Sequence, residues 1–279
     1  YREPLILMHF RLRRALLALA AMLMLPACQA VAGQCERIVA TGDPELPPYL
    51  WQDPENPGRL VGAAADLLDQ LGKALGVRID TIHTGAGPQA EADAESGRVD
   101  LLIGTTPNAS RRQSLDFIEP APFVLSSSVW VRRDQGFAYG GWNDLYGHSG
   151  VVLADGRLAR EFDPLSGAYL PLQEASALPE ALRTLQQGRA DYLLHESLST
   201  QAVAERLGML GEVRAIEPPI TSEGLYLAIS RDSACNEPAL RERLASGMAE
   251  LVANGVPEQL LQRNLERWKA WQRAEPLNE

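Results

Sequence analysis

Basic charge is in short supply in this 279-residue sequence: 26 Lys and Arg stand against 36 Asp and Glu, a net charge of −10. An acidic surface has no means of displacing the counterions of a nucleic-acid backbone, so nucleic acid is excluded as a non-specific partner. Cysteine is scarce, with Cys28, Cys35 and Cys235 only, and the four histidines are scattered. No C-x-x-C motif or Cys/His cluster occurs, which argues against a metal site. Missing too are a phosphate-cradling glycine loop, a nucleophile–base motif and a repeat of solenoid period, so neither cofactor nor catalytic constellation is implied. The long apolar run Ala15–Leu25 is too short to span a bilayer.

That run has a different meaning. Met8 opens the basic stretch MHFRLRR, the apolar run follows, and Pro26 and small residues lead to AVAG. This is the grammar of an export signal over residues 8–32, with residues 1–7 as an upstream extension. Cleavage is expected after Ala32, at Ala30-Val31-Ala32, giving a soluble periplasmic protein. LPAC, ending at Cys28, resembles a lipoprotein box and is the alternative. Once Cys28 has left, Cys35 and Cys235 remain as one even pair in an oxidising compartment, either bonded or separately buried.

The full sequence is 46% apolar and 22% charged, a folding composition. Short apolar strands alternate with amphipathic helices, as in RIVATGD, AAADLLDQLGKALG, VRIDTIH, PQAEADAESG and VDLLIGT. The pattern is that of parallel α/β architecture. Further strands are expected at FVLSSSVWVRR, VVLA, ADYLLHE and EGLYLAISRD, and further helices at RLAREF, LPEALRTLQQG, STQAVAERLG and the two C-terminal stretches. One phrase recurs: SGRVDLLIGT and QGRADYLLHE share Gly-Arg, an apolar residue, Asp, an apolar strand and polar residues at its end. Two units of one design suggest two lobes. Ligands of open α/β sheets bind beyond the carboxyl ends of strands. Those positions carry Thr105, Thr106 and Arg111 in one unit, and His195 and Glu196 in the other. A cation and an anion on facing walls would suit a zwitterion. Arg111 also stands at a helix start, where the dipole disfavours a cation unless an anion is near.

In their order, LPPYLWQDPENPGRLVGAAADLLDQLGKALG, GRVDLLIGTTPNASRRQSLDF, WNDLYGHSGVVLADG, QGRADYLLHES, GLYLAISRDS and MAELVANGVPEQLLQRNLERW resemble the bacterial extracellular solute-binding proteins of family 3. Sensor domains of some bacterial sensor kinases share the TPxAxRRxxLDF phrasing. The resemblance implies a two-lobed type II periplasmic binding fold with two hinge crossings. It places lobe one at 35–122 and 226–272 and lobe two at 127–221, with hinges at Phe123–Ser127 and Thr221–Leu225. It implies that Arg111, rather than Arg112, grips the ligand's carboxylate, helped by Thr105 and Thr106. Glu196 would meet the ligand's ammonium, and Asp155, Gly156 and Arg157 would offer backbone N–H groups. Tyr49 and Trp51 are candidates for the ligand site, and with Tyr226 are otherwise aromatics of the rim or the core. Leu46 stands where many members carry a stacking aromatic, Gln89 where relatives often show tryptophan, and Pro107 removes a hydroxyl and an N–H that other members use. Glu196 is one methylene longer than the usual aspartate. With both flanking segments in lobe one, Cys35 and Cys235 are expected to form a disulfide. The implied activity is capture of an amino acid or small carboxylate by a monomeric receptor, for an inner-membrane ABC permease. The alternatives are a sensing subunit without a transport role, or a dehydratase-like enzyme on the same fold.

Overall fold

Leu101, Leu102 and Ile103, the apolar run that the sequence marks as a buried strand, lie within one half of an eight-stranded sheet. The computed structural model describes residues 35–154 and 170–274. The leader expected at 8–32 with Cys28, the helix expected at RLAREF and the donors expected at Asp155, Gly156 and Arg157 lie outside the described residues. In chain order the elements are β1 (Arg37–Gly42), β2 (Trp51–Gln52), β3 (Leu60–Val61), α1 (Ala63–Leu75), β4 (Arg78–Thr81), α2 (Gly87–Glu95), β5 (Leu101–Thr105), α3 (Arg111–Ser114) and β6 (Leu115–Arg132). There follow β7 (Gly150–Leu153), β8 (Leu172–Ala175), α4 (Leu178–Gln186), β9 (Tyr192–Glu196), α5 (Ser197–Arg206), β10 (Val213–Ser230), α6 (Pro238–Ala253) and α7 (Val256–Ala274).

The sheet order is β4-β1-β5-β10-β6-β9-β7-β8. Strands β4, β1 and β5 are mutually parallel, as are β9, β7 and β8. Between the two sets run β10 and β6, antiparallel to each other and eighteen residues long. The sequence alone predicts these strands only from Phe123 and Glu223, because prolines stand before both. The prolines do not end the strands. Pro120 and Pro122 fall between the paired residues Ile118 and Phe123, and Pro218 and Pro219 between Ile216 and Thr221. At these interruptions the ladder needs no N–H, so proline is tolerated. The short strand β8 has no sequence signal beyond Leu172, since its central residues Gln173 and Glu174 are exposed.

Packing follows the periodicity. Helix α1 buries Leu67, Leu68 and Leu71 at i, i+1 and i+4 on Ile38, Leu101 and Ile103, each leucine contributing about 1.5–3 kcal/mol. It stops at Gly76, whose φ of 67° lets the last N–H turn back to the carbonyls of Gly72 and Lys73. A second cluster joins Val151, Leu182, Leu185 and Leu193 to Trp130. The recurring phrase has a structural reason. Asp100 accepts the Val39 N–H at 2.8 Å, and Asp191 accepts the Ser149 N–H at 2.8 Å, so each fastens the entry of a neighbouring parallel strand. That backbone donor holds the Asp191 carboxyl below its ordinary range.

The disulfide expected from the resemblance is formed: Cys35 and Cys235 are bonded, with Cα atoms 5.7 Å apart. It ties the start of β1 to the turn before α6. Helix α7 reaches both clusters, since Leu260 belongs to the first and Leu265 and Trp268 to the second. Its Lys269 also pairs with Glu205 of α5 at 2.8 Å. Among the described residues no helix is long and apolar enough to cross a membrane.

Candidate functional site

Strand directions define where a ligand site can lie. Because β5 is antiparallel to β10, β10 to β6 and β6 to β9, β5 and β9 run in opposite senses. The carboxyl ends of β1, β4 and β5 therefore face those of β7, β8 and β9. They meet over the middle of the long strands, where Phe123–Ser127 pairs with Thr221–Leu225. Thr105 ends β5 beside Tyr226, and Glu196 ends β9 beside Ser127. Both are buried. Gly104, at φ 77°, has the left-handed backbone that turns the chain there, and Leu46 lies 3.9 Å from where a side chain would begin.

Arg111 is built into this end of β5 by a short turn. Asn108 Oδ1 accepts the Arg111 N–H at 2.8 Å and starts α3. The guanidinium then reaches back. Nη1 donates to the Thr106 carbonyl at 3.0 Å and to its hydroxyl at 3.1 Å. Nε and Nη2 donate to the two oxygens of Glu91 at 2.6 and 2.9 Å, a two-pronged carboxylate pair. Arg112 goes elsewhere. Its guanidinium lies 5.3 Å from the centre of the Phe117 ring and lines a cavity of about 610 Å³ with Asp116, Arg231 and Arg241. Thus Arg111 and Thr106 are brought together, and Arg112 is turned away from them.

On the other side, Glu196 is the N-cap of α5. Its Oε1 accepts from Leu198 N at 3.0 Å, and its Oε2 from Ser199 N at 2.7 Å and the Ser199 hydroxyl at 2.6 Å. Positive helix-end potential and three donors suit a buried carboxylate. Neighbouring His195 is linked through Nδ1 to Thr200 Oγ1 at 2.8 Å, and the Thr200 hydroxyl lies 2.6 Å from the Glu196 carbonyl. The carbonyl takes the hydroxyl proton, so the threonine oxygen accepts from His195, which fixes the Nδ1–H tautomer. Burial pushes the imidazole down to about 4, against a smaller opposing pull from the Glu196 backbone.

Tyr49 is buried and donates its hydroxyl to the Val124 carbonyl at 2.9 Å, edge-on to Phe123. Burial, and then the charge of Glu196, push its phenol well above the ordinary value, so it remains a donor. Trp51 is buried in the cluster that holds Trp130 and Trp268, with Arg267 over its ring at 5.7 Å. Tyr226 meets Phe117 edge-on at 6.0 Å. The sequence gives no warning of Glu91, which lies twenty residues before Arg111 on a helix without a local motif. Among the described residues no three His, Cys, Asp or Glu side chains are grouped to hold a metal ion.

Comparison with known proteins agrees with this topology. The sequence pattern of the bacterial extracellular solute-binding proteins, family 3, matches residues 38–267. No curated protein sequence matches. Among solved structures, a histidine kinase sensor domain with similarity to periplasmic binding proteins superposes with a TM-score of 0.63 at 23% identity, covering 82% of this chain and 96% of that one. The amino acid ABC transporter substrate-binding protein AbpA from Streptococcus pneumoniae, bound to L-arginine, gives 0.62 at 16% identity over 83% and 95%. An ancestral arginine-binding protein bound to arginine gives 0.62 at 19% identity over 83% and 99%. At these identities the likeness is one of fold: the two-lobed type II periplasmic binding architecture, with its two hinge crossings.

Proposed function

Since the chain belongs to the bacterial extracellular solute-binding proteins, family 3, we propose that it captures an amino acid or related small carboxylate between its lobes and hands it to an inner-membrane ABC importer. In this reading it works in the periplasm as a monomer, after loss of residues 8–32, and binds without catalysing a reaction. Lobe one comprises 35–122 and 226–272, and lobe two 127–221. Arg111 grips the ligand's carboxylate, with Thr105 and Thr106 filling its remaining acceptor sites. Glu196 receives the ammonium, and Asp155, Gly156 and Arg157 present backbone N–H groups from the second lobe. Tyr49 braces the hinge beside the ligand. Trp51, buried with Trp130 and Trp268, serves packing rather than stacking on a ligand.

The observation that supports this reading is the behaviour of Arg111: it already holds a carboxylate, that of Glu91, through two parallel hydrogen bonds. The guanidinium is therefore held beside the end of β5 in a geometry that matches a carboxylate. A second reading, ligand sensing without transport, draws on the shared fold of a histidine kinase sensor domain. Both roles require the same capture step. A thermal-shift screen of the mature protein against the twenty L-amino acids, opines, polyamines and small dicarboxylates tests that step. A true ligand at a hundred times its dissociation constant stabilises by about 2.7 kcal/mol. Stabilisation by polyamines alone would exclude carboxylate capture, and a screen without any stabilising compound would sink the receptor reading.

A further inference from the structure

Arg111 is the residue on which carboxylate capture turns, and its side-on donors are already occupied. Nε and Nη2 are held by Glu91 at 2.6 and 2.9 Å, while Nη1 is directed at the carbonyl and hydroxyl of Thr106. A guanidinium has five N–H donors, and the pair that Glu91 takes is one of those whose spacing matches a carboxylate. The pair is not sealed: the side chains of Arg111 and Glu91 keep 22% and 29% of their exposure, so water and a solute reach them. Nor does α3 depend on Glu91, because Asn108 caps its first N–H and Glu91 belongs to α2.

We propose that Glu91 is a specificity-determining residue: an internal carboxylate that competes with the ligand's carboxylate for Arg111. This rests on the receptor reading and says which ligands the site admits. A ligand must first draw Arg111 away from Glu91, so its apparent affinity is lowered by the fraction of molecules in which that pair is open. Charge-assisted pairs are strong enough to reduce that fraction to about a tenth or less. A simple monocarboxylate has no other contact to offset the loss. An amino acid does, through its ammonium and side chain; the cost is the same for both, so it takes a bare carboxylate below useful affinity while an amino acid stays bound.

The test uses the mature protein with Glu91→Gln, Glu91→Ala and, as a charge control on the same helix, Glu95→Gln. Each is screened with the twenty L-amino acids, and the tightest binder is then measured by calorimetry beside its decarboxylated amine and sodium propionate. Glu91→Gln is expected to bind the amino acid about tenfold more tightly, and propionate measurably, with Glu95→Gln within about twofold of the parent. The amine should gain nothing, since it offers Arg111 no carboxylate. Equal or weaker amino-acid binding by both Glu91→Gln and Glu91→Ala overturns the proposal, because Glu91 is then a strut that positions Arg111. An equal gain for the amine overturns it as well. Glu91→Ala guards against a glutamine that merely replaces the old hydrogen bonds: if neither variant gains, the proposal falls while binding by the parent leaves the receptor reading standing. If parent and variants all fail to bind every amino acid, both fall together.

Discussion

Two adjacent arginines show how much a single position decides. Arg111 turns toward the end of β5 and the Thr106 carbonyl, whereas Arg112 lies over the Phe117 ring. Removing Arg111 should leave a desolvated ligand carboxylate without its partner, costing roughly 2–5 kcal/mol, or about 30-fold or more in affinity. Lysine at 111 should recover part of that loss, keeping the charge without the two-pronged geometry. Arg112→Ala should cost far less. Calorimetry on the three variants checks this, and loss of binding in Arg112→Ala alone would move the recognition residue by one. His195 makes a second prediction, in pH. Its folded value is held at about 4 against an ordinary 6.5, so below pH 6.5 the unfolded chain takes a proton that the folded chain refuses. Stability should therefore be full above pH 6.5 and fall as the pH drops toward 4, by on the order of 3 kcal/mol from this residue. Urea denaturation at several pH values should show a shallower slope for His195→Gln. A slope equal to that of the parent would mean that the imidazole is solvated in the folded protein.

At the scale of elements, the disulfide is the firmest connection. It closes a loop of 200 residues between the start of β1 and the turn before α6. Chain-entropy arguments assign such a loop about 5 kcal/mol in principle, less where the unfolded chain retains structure. Cys35→Ser with Cys235→Ser should accordingly lower the urea midpoint with little change in the fold's circular dichroism. Mass spectrometry showing two free thiols in the unreduced exported protein would contradict the bond. The paired aspartates Asp100 and Asp191 show a repeated sequence phrase serving structure: each accepts the N–H at the entry of a parallel neighbour. The polar residues at the ends of those strands differ, Thr105 with Thr106 in one and His195 with Glu196 in the other.

For the whole molecule, the two long strands impose a particular motion. Among the described strands only β6 and β10 carry the sheet from one parallel set to the other, and their ladder is interrupted near the crossing. Rotation of the lobes about these segments is expected to close the site on ligand. Small-angle scattering should show a smaller radius of gyration at ligand saturation, and an unchanged profile with a demonstrated ligand would refute closure. Helix α7 is expected to limit that motion, since Leu260 packs in the first cluster while Leu265 and Trp268 pack in the second and Lys269 pairs with Glu205.

Much of this was legible in the amino-acid order, because strand and helix periodicities are local and a parallel α/β pattern restricts topology. The strand Leu101–Ile103, the helix closed by Gly76 and the placing of Arg111 just past a strand end all rest on neighbours in sequence. The full length of β6 and β10 was hidden, since proline reads as a strand breaker and only the partner strand reveals an interruption that tolerates it. The pairing of Cys35 with Cys235 depended on proximity across 200 residues. The Glu91–Arg111 pair was invisible for the same reason: a surface-helix glutamate carries no sign of which arginine the fold will set beside it. Local pattern determined most of the elements, and long-range packing alone decided which charges meet beside Arg111.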